Sequence, residues 1–504
     1  MNFTIARALY WWSREMPTQN ALSFEDQALS FGELYEWAGR VGTWLGKHGV
    51  RPGDRVCIVS TNSMHYAVLA FALVRIGAIG APLSFRSTTT ELRDWFSDLA
   101  PMLVFTDPER RATAAEALGE AAAAKLQPLS LVQTLRTGAP AELEYAPPED
   151  APAFIIGTSG STARPKGVNY THRMVVTYAC EFGLMEPRCG RGSSVLVVGP
   201  FSSGSGYLVM MQCVVQGATV YIESHFEAKR GLDLLTRHKI TTFMAVPIFF
   251  ERMSVLPEFA DADLSNLHWT QVGGARVSPE LLKAWREKGV ILRHAYGSTE
   301  AGGAWGARDD IAVREPGKCG RGGMFSEYAI LLDDGSVTRN GGPGEILIRS
   351  ACMTTGLWNN AKASAEILKD GWLHTGDLGV IDDTGNLTFV DRLKDIIISG
   401  GLNIAAAEVE RLIAELPGVA EVAVIAAHDE VFGETPLAIV HGDSEQLSAA
   451  AIVRQCDQHL ANYKVPRYVA FESEPLPRLP SGKISKPILR QKFKDAHTTL
   501  PKVR

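Results

Sequence analysis

From Phe31 onward, short apolar runs alternate with stretches of helical period, and that alternation leaves few architectures open. Apolar Leu34, Trp37, Ala38, Val41, Trp44 and Leu45 recur at helical spacing and predict an amphipathic helix over 31–49, after a short hairpin from Ala21 to Phe31. VRPGDRV then turns the chain into a strand at Val56–Val59, and Asn62 marks the start of a helix over His65–Gly77. Strand Ala81–Leu83, a helix near 90–98, strand Leu103–Phe105 and an Ala/Glu-rich surface helix over 108–126 follow. A second series repeats the pattern: strand Val195–Val198, helix 205–216, strand Thr219–Glu223, helix 229–238, strand Thr242–Val246. Strands separated by helices imply βαβ units and largely parallel sheets.

A chain of 504 residues exceeds what one hydrophobic core usually supports, so two or more domains are expected. Glycine-rich, β-biased sequence from Gly317 to Val390, with short strands at Glu345–Ile348 and Leu387–Val390, reads as a small β-rich subdomain. From Asp391 the texture changes to a compact module with a helix over 406–416, strands at Val419–Ala427 and Pro436–His441, and a helix over 447–461. The fold class is α/β: an N-terminal domain over 1–391, built of doubly wound sheets plus the β-rich subdomain, then a small, mobile α+β domain over 392–504.

Composition excludes several function classes. A net charge of −6 offers no basic surface for nucleic acid. Seven scattered cysteines form no CxxC pair, which fits reduced thiols and a cytoplasmic location. The N-terminus lacks an apolar leader core. The longest apolar run, Tyr66 to Leu83, is broken by Arg75, Gly77 and Gly80, so it reads as a buried helix passing into a strand rather than a membrane span.

The densest chemistry lies in TSGSTARPKG, residues 158–167, directly after the apolar strand Ala153–Ile156. Thr158, Ser159, Ser161 and Thr162 surround Gly160, and Lys166 adds a cation; hydroxyls, backbone N–H groups and a cation together suit a polyphosphate. It is not the P-loop pattern, because Gly167 rather than Ser or Thr follows Lys166. A solvated loop is the plainer reading of such a cluster taken alone. Four more stretches carry similar composition. Tyr296-Gly297-Ser298-Thr299-Glu300 offers an aromatic face, a hydroxyl and a hard oxygen ligand for Mg²⁺. His374-Thr375-Gly376-Asp377 offers a carboxylate for ribose hydroxyls. Asp391-Arg392-Leu393-Lys394-Asp395, with Ser399-Gly400-Gly401 after it, is a charged junction. Ser481-Gly482-Lys483 places a lysine in an exposed turn.

Each stretch is weak alone, but their order and spacing are not. GVRPGDRV (49–56), TSGSTARPKGV (158–168), GGA (273–275), YGSTE (296–300), GWLHTGDLG (371–379), DRLKDIIISGGLNIAAAEVE (391–410) and PRLPSGKISK (477–486) together resemble the adenylate-forming superfamily, in its AMP-forming acyl-CoA synthetase branch. The resemblance covers essentially the whole chain. It implies ATP, Mg²⁺ and coenzyme A as cofactors and a small carboxylic acid as substrate. The acid is first joined to AMP with loss of pyrophosphate, and a thiol then displaces AMP.

By that resemblance Lys483 bridges the carboxylate and the α-phosphate, Thr299 holds the α-phosphate and Glu300 holds Mg²⁺. Thr158, Ser159, Gly160, Ser161, Thr162 and Lys166 grip the outer phosphates. Tyr296 stacks on adenine beside Gly274 and Ala275, and Asp377 with Arg392 fixes the ribose. Lys394 is the hinge about which the C-terminal domain rotates, bringing Ser399, Gly400 and Gly401 to the thiol side. Ser202, Ser203, Gly273, Gly297, Gly302 and Gly303 border the acyl group. The stretch Pro200–Gly204 lacks the His or aromatic that many relatives place against that group, and Gly302 and Gly303 follow Glu300, so small side chains there suggest room for a bulky, alicyclic or medium-chain acid. Departures from the family pattern are Ala163 in place of glycine, Leu402 in place of glutamate, and Ala405-Ala406 in place of an aromatic-Pro pair. Other readings are a stand-alone ligase that loads a separate acyl carrier protein, a luciferase-like oxidase, and a catalytically impaired nucleotide-binding relative. A homodimer is a further open partner reading.

Overall fold

The computed structural model describes residues 3–139, 147–158, 166–274, 277–443, 447–478 and 483–504. The chain divides into two compact units, one formed by Met1–Tyr328 with Ile348–His374, the other by Ala329–Leu347 with Thr375–Arg504.

The first unit contains two sheets. In the six-stranded sheet the order is Leu126–Pro128, Leu103–Thr106, Arg55–Val59, Ile79–Leu83, Pro152–Thr158, Lys166–Thr171. Every pair in it is parallel except the last, an antiparallel hairpin. The eight-stranded sheet runs Gly303–Gly306, Arg293–Ser298, Trp269–Gly273, Thr242–Ala245, Ser194–Val197, Thr219–Ile222, Asn20–Phe24, Gln27–Ser30, parallel but for a hairpin at each edge. The predicted alternation of strands and helices is therefore present in both.

Local chemistry explains the element boundaries. The helix Phe31–Lys47 starts in a capping box, Ser30 with Glu33, and buries Leu34, Trp37, Ala38, Val41 and Leu45. The helix Met64–Ile76 is buried on all faces and ends at Gly77, whose φ of +71° suits glycine. Arg75 breaks its apolar run yet is itself buried, with its guanidinium 3.7 Å over the Tyr35 ring and donating to the Tyr35 carbonyl. Two expectations are corrected. Ser63, not Asn62, caps this helix. The helix expected over 108–126 stops at Leu118, because Gly119 adopts φ +75°, and a 3₁₀ turn covers Glu120–Lys125.

The second unit includes the sheet formed by Ile396–Ser399, Leu402–Ala405, Gly433–Gly442, Val419–Asp429 and Tyr468–Glu472. Helices Ala406–Ala414 and Ala449–His459 belong to its core, where Ile397, Val409, Ile413, Val424, Val440 and Ile452 are fully buried. The two long strands extend past the expected limits because Asp429 Oδ1 accepts from the amides of Val431 and Phe432 and so closes a tight turn between them. No helix among the described residues is long and apolar enough to cross a membrane.

Trp285 anchors one core of the first unit, in contact with Phe250 and Phe259 and donating to the Phe250 carbonyl. Trp285→Ala should destabilise that unit by about 3–5 kcal/mol, seen as an earlier transition in urea unfolding followed by tryptophan fluorescence.

Candidate active site

In the first unit the candidate residues gather at the carboxyl ends of parallel strands, where ligands of α/β folds bind. Thr158 ends one strand and Lys166 begins its antiparallel neighbour, and the two are paired in register. The Thr158 hydroxyl donates to the Lys166 carbonyl at 3.3 Å. Among the described residues no hydrogen bond or ion pair engages the Lys166 ammonium. Ser159, Gly160, Ser161, Thr162 and Ala163 lie outside the described residues, as does Ala275. Packing fixes the base of this hairpin: a Cβ on Gly157 would sit 2.7 Å from the Trp95 ring, and one on Gly167 2.6 Å from Ile155. Trp358 N also donates to the Gly167 carbonyl at 2.7 Å.

The second hairpin carries Tyr296, Thr299 and Glu300. Its turn is held through the backbone. Tyr170 donates to the Thr299 carbonyl at 2.6 Å, Thr354 N to the Glu300 carbonyl at 2.9 Å, and Ala301 N to Ser298 Oγ at 3.1 Å. Among the described residues no hydrogen bond or ion pair engages the Thr299 hydroxyl or the Glu300 carboxylate, whose charge acts on the Tyr170 hydroxyl. No group of three or more His, Cys, Asp or Glu is arranged to hold a metal among those residues. A lone carboxylate fits Mg²⁺, which keeps waters and nucleotide oxygens as its other ligands. Tyr296 is largely buried, its ring edge-on to Tyr328 at 5.9 Å.

The glycines correct one expectation. They do not enlarge an acyl pocket by lacking side chains, because the space beside each is filled. A Cβ on Gly273 would meet the Ala295 carbonyl oxygen at 2.7 Å, one on Gly297 the Gly303 carbonyl oxygen at 2.1 Å, and one on Gly302 the Cys352 carbonyl oxygen at 1.7 Å. One on Gly303 would meet the Tyr178 ring at 2.4 Å. Gly302 and Gly274 also adopt φ +78°. Gly273, Gly297 and Gly302 permit close approach of backbones behind the turn, and Gly303 close approach of the Tyr178 ring.

Several residues that position this site carried no sequence signal beyond their type. Buried Asn62 donates to the Gly199 carbonyl at 3.0 Å and accepts from Phe201 N at 2.7 Å, fixing the segment that carries Ser202 and Ser203. Ser203 Oγ in turn donates to the Pro200 carbonyl at 2.8 Å. Tyr178 holds Ala304 by both its N–H and its carbonyl. Glu181, fully buried, accepts from Trp305 Nε1 at 3.0 Å and Ser326 Oγ at 3.1 Å. Of these, Asn62 drew attention in the sequence only as a helix start, which gives no hint of its contacts with Gly199 and Phe201.

The second unit brings Asp377, Arg392, Lys394 and Lys483 together. Asp377 and Arg392 are paired across adjacent strands, with Arg392 Nε 3.6 Å from Asp377 Oδ1. Burial, and then the Arg392 charge, push the Lys483 ammonium down to about 8, with Asp377 opposing. Burial, followed by the Arg392 charge, also lowers Lys394. Ser399, Gly400 and Gly401 form a separate hairpin turn; both glycines have positive φ, and Gly400 N donates to the Phe432 carbonyl at 2.8 Å. Leu402, at the position of a family glutamate, is half exposed.

Two family models match the chain. Residues 9–358 match the AMP-binding enzyme family, and residues 408–483 match the AMP-binding enzyme C-terminal domain. The chain belongs to the AMP-binding enzyme family. Among its relatives, the long-chain-fatty-acid–CoA ligase FadD13 of Mycobacterium tuberculosis is 33% identical over 483 residues, covering 95% of each chain. A feruloyl-CoA synthase of an Amycolatopsis species is 33% identical over 492 residues, covering 95% of this chain and 97% of its own. The o-succinylbenzoate CoA synthetase of Bacillus subtilis, solved with its acyl-adenylate intermediate, superposes with a TM-score of 0.85 at 28% identity, covering 96% and 97% of the two chains. Within the AMP-binding enzymes this chain therefore falls in the acyl-CoA synthetase branch, the AMP-forming acid–thiol ligases, and uses ATP and coenzyme A.

Gly303→Ala drives a methyl group into the Tyr178 ring. It should cost about 1–3 kcal/mol and displace the Thr299–Glu300 turn. Carboxylate-dependent pyrophosphate exchange should drop at least about tenfold, as one lost unit of transition-state fit near 1.4 kcal/mol requires.

Proposed function

We propose that the protein activates a bulky carboxylic acid, aromatic, alicyclic or with a medium-to-long chain, and passes it to free coenzyme A, with Lys483 as the cation of the first half-reaction. The observation that carries this reading is the Asp377–Arg392 pair, whose charges act on Lys483 in a site buried enough to depress its pKa to about 8. A carboxylate and a triphosphate repel each other, and a desolvated ammonium at the reacting atoms offsets that repulsion better than one in water.

In the first step a carboxylate oxygen bonds to the α-phosphorus, the bond from that phosphorus to the bridging oxygen breaks, and pyrophosphate leaves with the electron pair. Lys483 and Thr299 stabilise the charge on the α-phosphate, while Thr158, Lys166 and the loop between them grip the leaving group. Glu300 would hold a Mg²⁺ ion, which would supply charge neutralisation for that group. Tyr296, Gly274 and Ala275 border adenine, and Asp377 with Arg392 orients the ribose. In the second step the coenzyme A thiol gives up its proton to water, its sulfur bonds to the acyl carbon, the bond from that carbon to the phosphate-bound oxygen breaks, and AMP departs with the electron pair. Rotation about Lys394 would exchange the Lys483 face for the Ser399–Gly401 turn between steps.

The relatives named for long-chain fatty acids, ferulate and o-succinylbenzoate support a large acyl group. Ser202 and Ser203 stand at its border. All seven cysteines are free, which supports a reducing, cytoplasmic setting.

A panel of acids tests the substrate class. An aromatic or long-chain acid should exceed acetate in kcat/KM by more than about 100-fold, and acetate as the best substrate would refute the reading. Lys483→Ala should lower pyrophosphate release at least about 100-fold while leaving thioester formation from supplied acyl-adenylate within a few-fold. The ammonium is the working form, present below about pH 8 and lost above it. Adenylation kcat/KM should therefore fall as pH rises through about 8, and a profile still rising at pH 9 would contradict the role.

A further inference from the structure

The helix Ala406–Ala414 begins after Ala405, whose side chain cannot cap it. The cap comes instead from a residue earlier in the chain. Asp391 Oδ2 accepts from Ala407 N at 2.9 Å, and its Oδ1 accepts from Arg392 N at 2.7 Å. Asp391 is almost fully buried, at 4% exposure. The charge of this carboxylate also acts on Lys486. Burial lowers the Lys486 pKa, but the charges of Glu410, Asp391 and Asp395 outweigh burial and raise it. Lys486 Nζ lies 2.8 Å from Glu410 Oε1, on the helix that Asp391 caps. Arg490 reaches back to the same junction, pairing with Asp395 and donating to the Lys394 carbonyl at 3.4 Å.

Position along the chain gives these contacts their meaning. Asp391 precedes Lys394, whereas Ala407, Glu410 and Lys486 follow it. Lys486 stands three residues beyond Lys483, at the start of the helix Lys486–Lys492. Turning the chain at Lys394 would pull Asp391 away from the Ala407 amide and alter the field it exerts on the Lys486 ammonium. The Lys486–Glu410 and Arg490–Asp395 pairs join residues on the same side of the hinge and would survive.

We propose that Asp391 is a positioning residue for adenylation: a latch across the hinge that holds the Lys483 segment beside Asp377 and Arg392 and lets go for the thiol step. The latch rests on the roles given above to Lys483 and Lys394. It biases the equilibrium between two arrangements, so its loss acts on the ratio of the half-reactions rather than on both alike.

The test uses the full chain, with the best acid from the panel. Pyrophosphate release is measured with ATP and the acid, and thioester formation separately with coenzyme A and synthetic acyl-adenylate. In Asp391→Ala, adenylation kcat should fall by about tenfold or more, with the thiol step unchanged or faster. Lys486→Met should shift the ratio in the same direction, and Lys486→Arg should restore it. Equal losses in both half-reactions, or an unchanged ratio in both Asp391→Ala and Lys486→Met, would overturn the latch. Lys483→Ala run in parallel separates the layers: adenylation surviving that change would overturn the role of Lys483 and the latch with it. Adenylation lost there, with the ratio intact in Asp391→Ala and Lys486→Met, would overturn the latch alone.

Discussion

The candidate site in the first unit depends on one constraint, that the turn bearing Thr299 and Glu300 is held through its backbone and its neighbours rather than through those two side chains. Tyr170, Thr354 and Ser298 secure its backbone. Gly297, Gly302 and Gly303 let neighbouring backbone and the Tyr178 ring approach to distances that a methyl group would forbid. Such a turn loses little freedom when a ligand binds, which is the condition for electrostatic preorganisation. The parallel strands set its location, and the two edge hairpins, one holding Thr158 and Lys166 and the other holding Thr299 and Glu300, supply the polar groups at strand ends.

The second unit works by a different principle. It collects charge at the junction around Lys394, where Asp377, Asp391 and Asp395 alternate with Arg392, Lys394, Lys483, Lys486 and Arg490. Partial burial makes each contact stronger than it would be in water and makes an unpaired member costly. Such a network has few acceptable arrangements. Lys483 is depressed by burial while Lys486, three residues on, is raised by its carboxylate neighbours, so two lysines on one short segment are set apart by environment alone.

Much of this was legible in the sequence where a residue's role follows from local pattern. The helix Phe31–Lys47 was visible from its apolar spacing, and the strands Arg55–Val59, Leu103–Thr106 and Thr242–Ala245 from short apolar runs between turn signals. The buried helix Met64–Ile76 was legible despite Arg75, because one charge in a long apolar stretch cannot move it to the surface. What was hidden depends on long-range contact. Asn62 looked like a helix cap but instead bridges to Gly199 and Phe201, far along the chain. Glu181 resembles any glutamate on a surface helix until Trp305 and Ser326 close over it. The glycines near Glu300 were legible as important, but their spacing cannot tell a void from a close contact. Asp391 was visible only as part of a charged junction, since the uncapped helix it serves starts fifteen residues later.

The central claim is that the acid is activated by direct attack on the α-phosphate, and isotope transfer tests it most directly. Turnover of an acid carrying ¹⁸O in both carboxylate oxygens, with unlabelled ATP and coenzyme A, should deliver one labelled oxygen to each AMP and none to pyrophosphate. Label in inorganic phosphate, or AMP that carries none, would contradict the account.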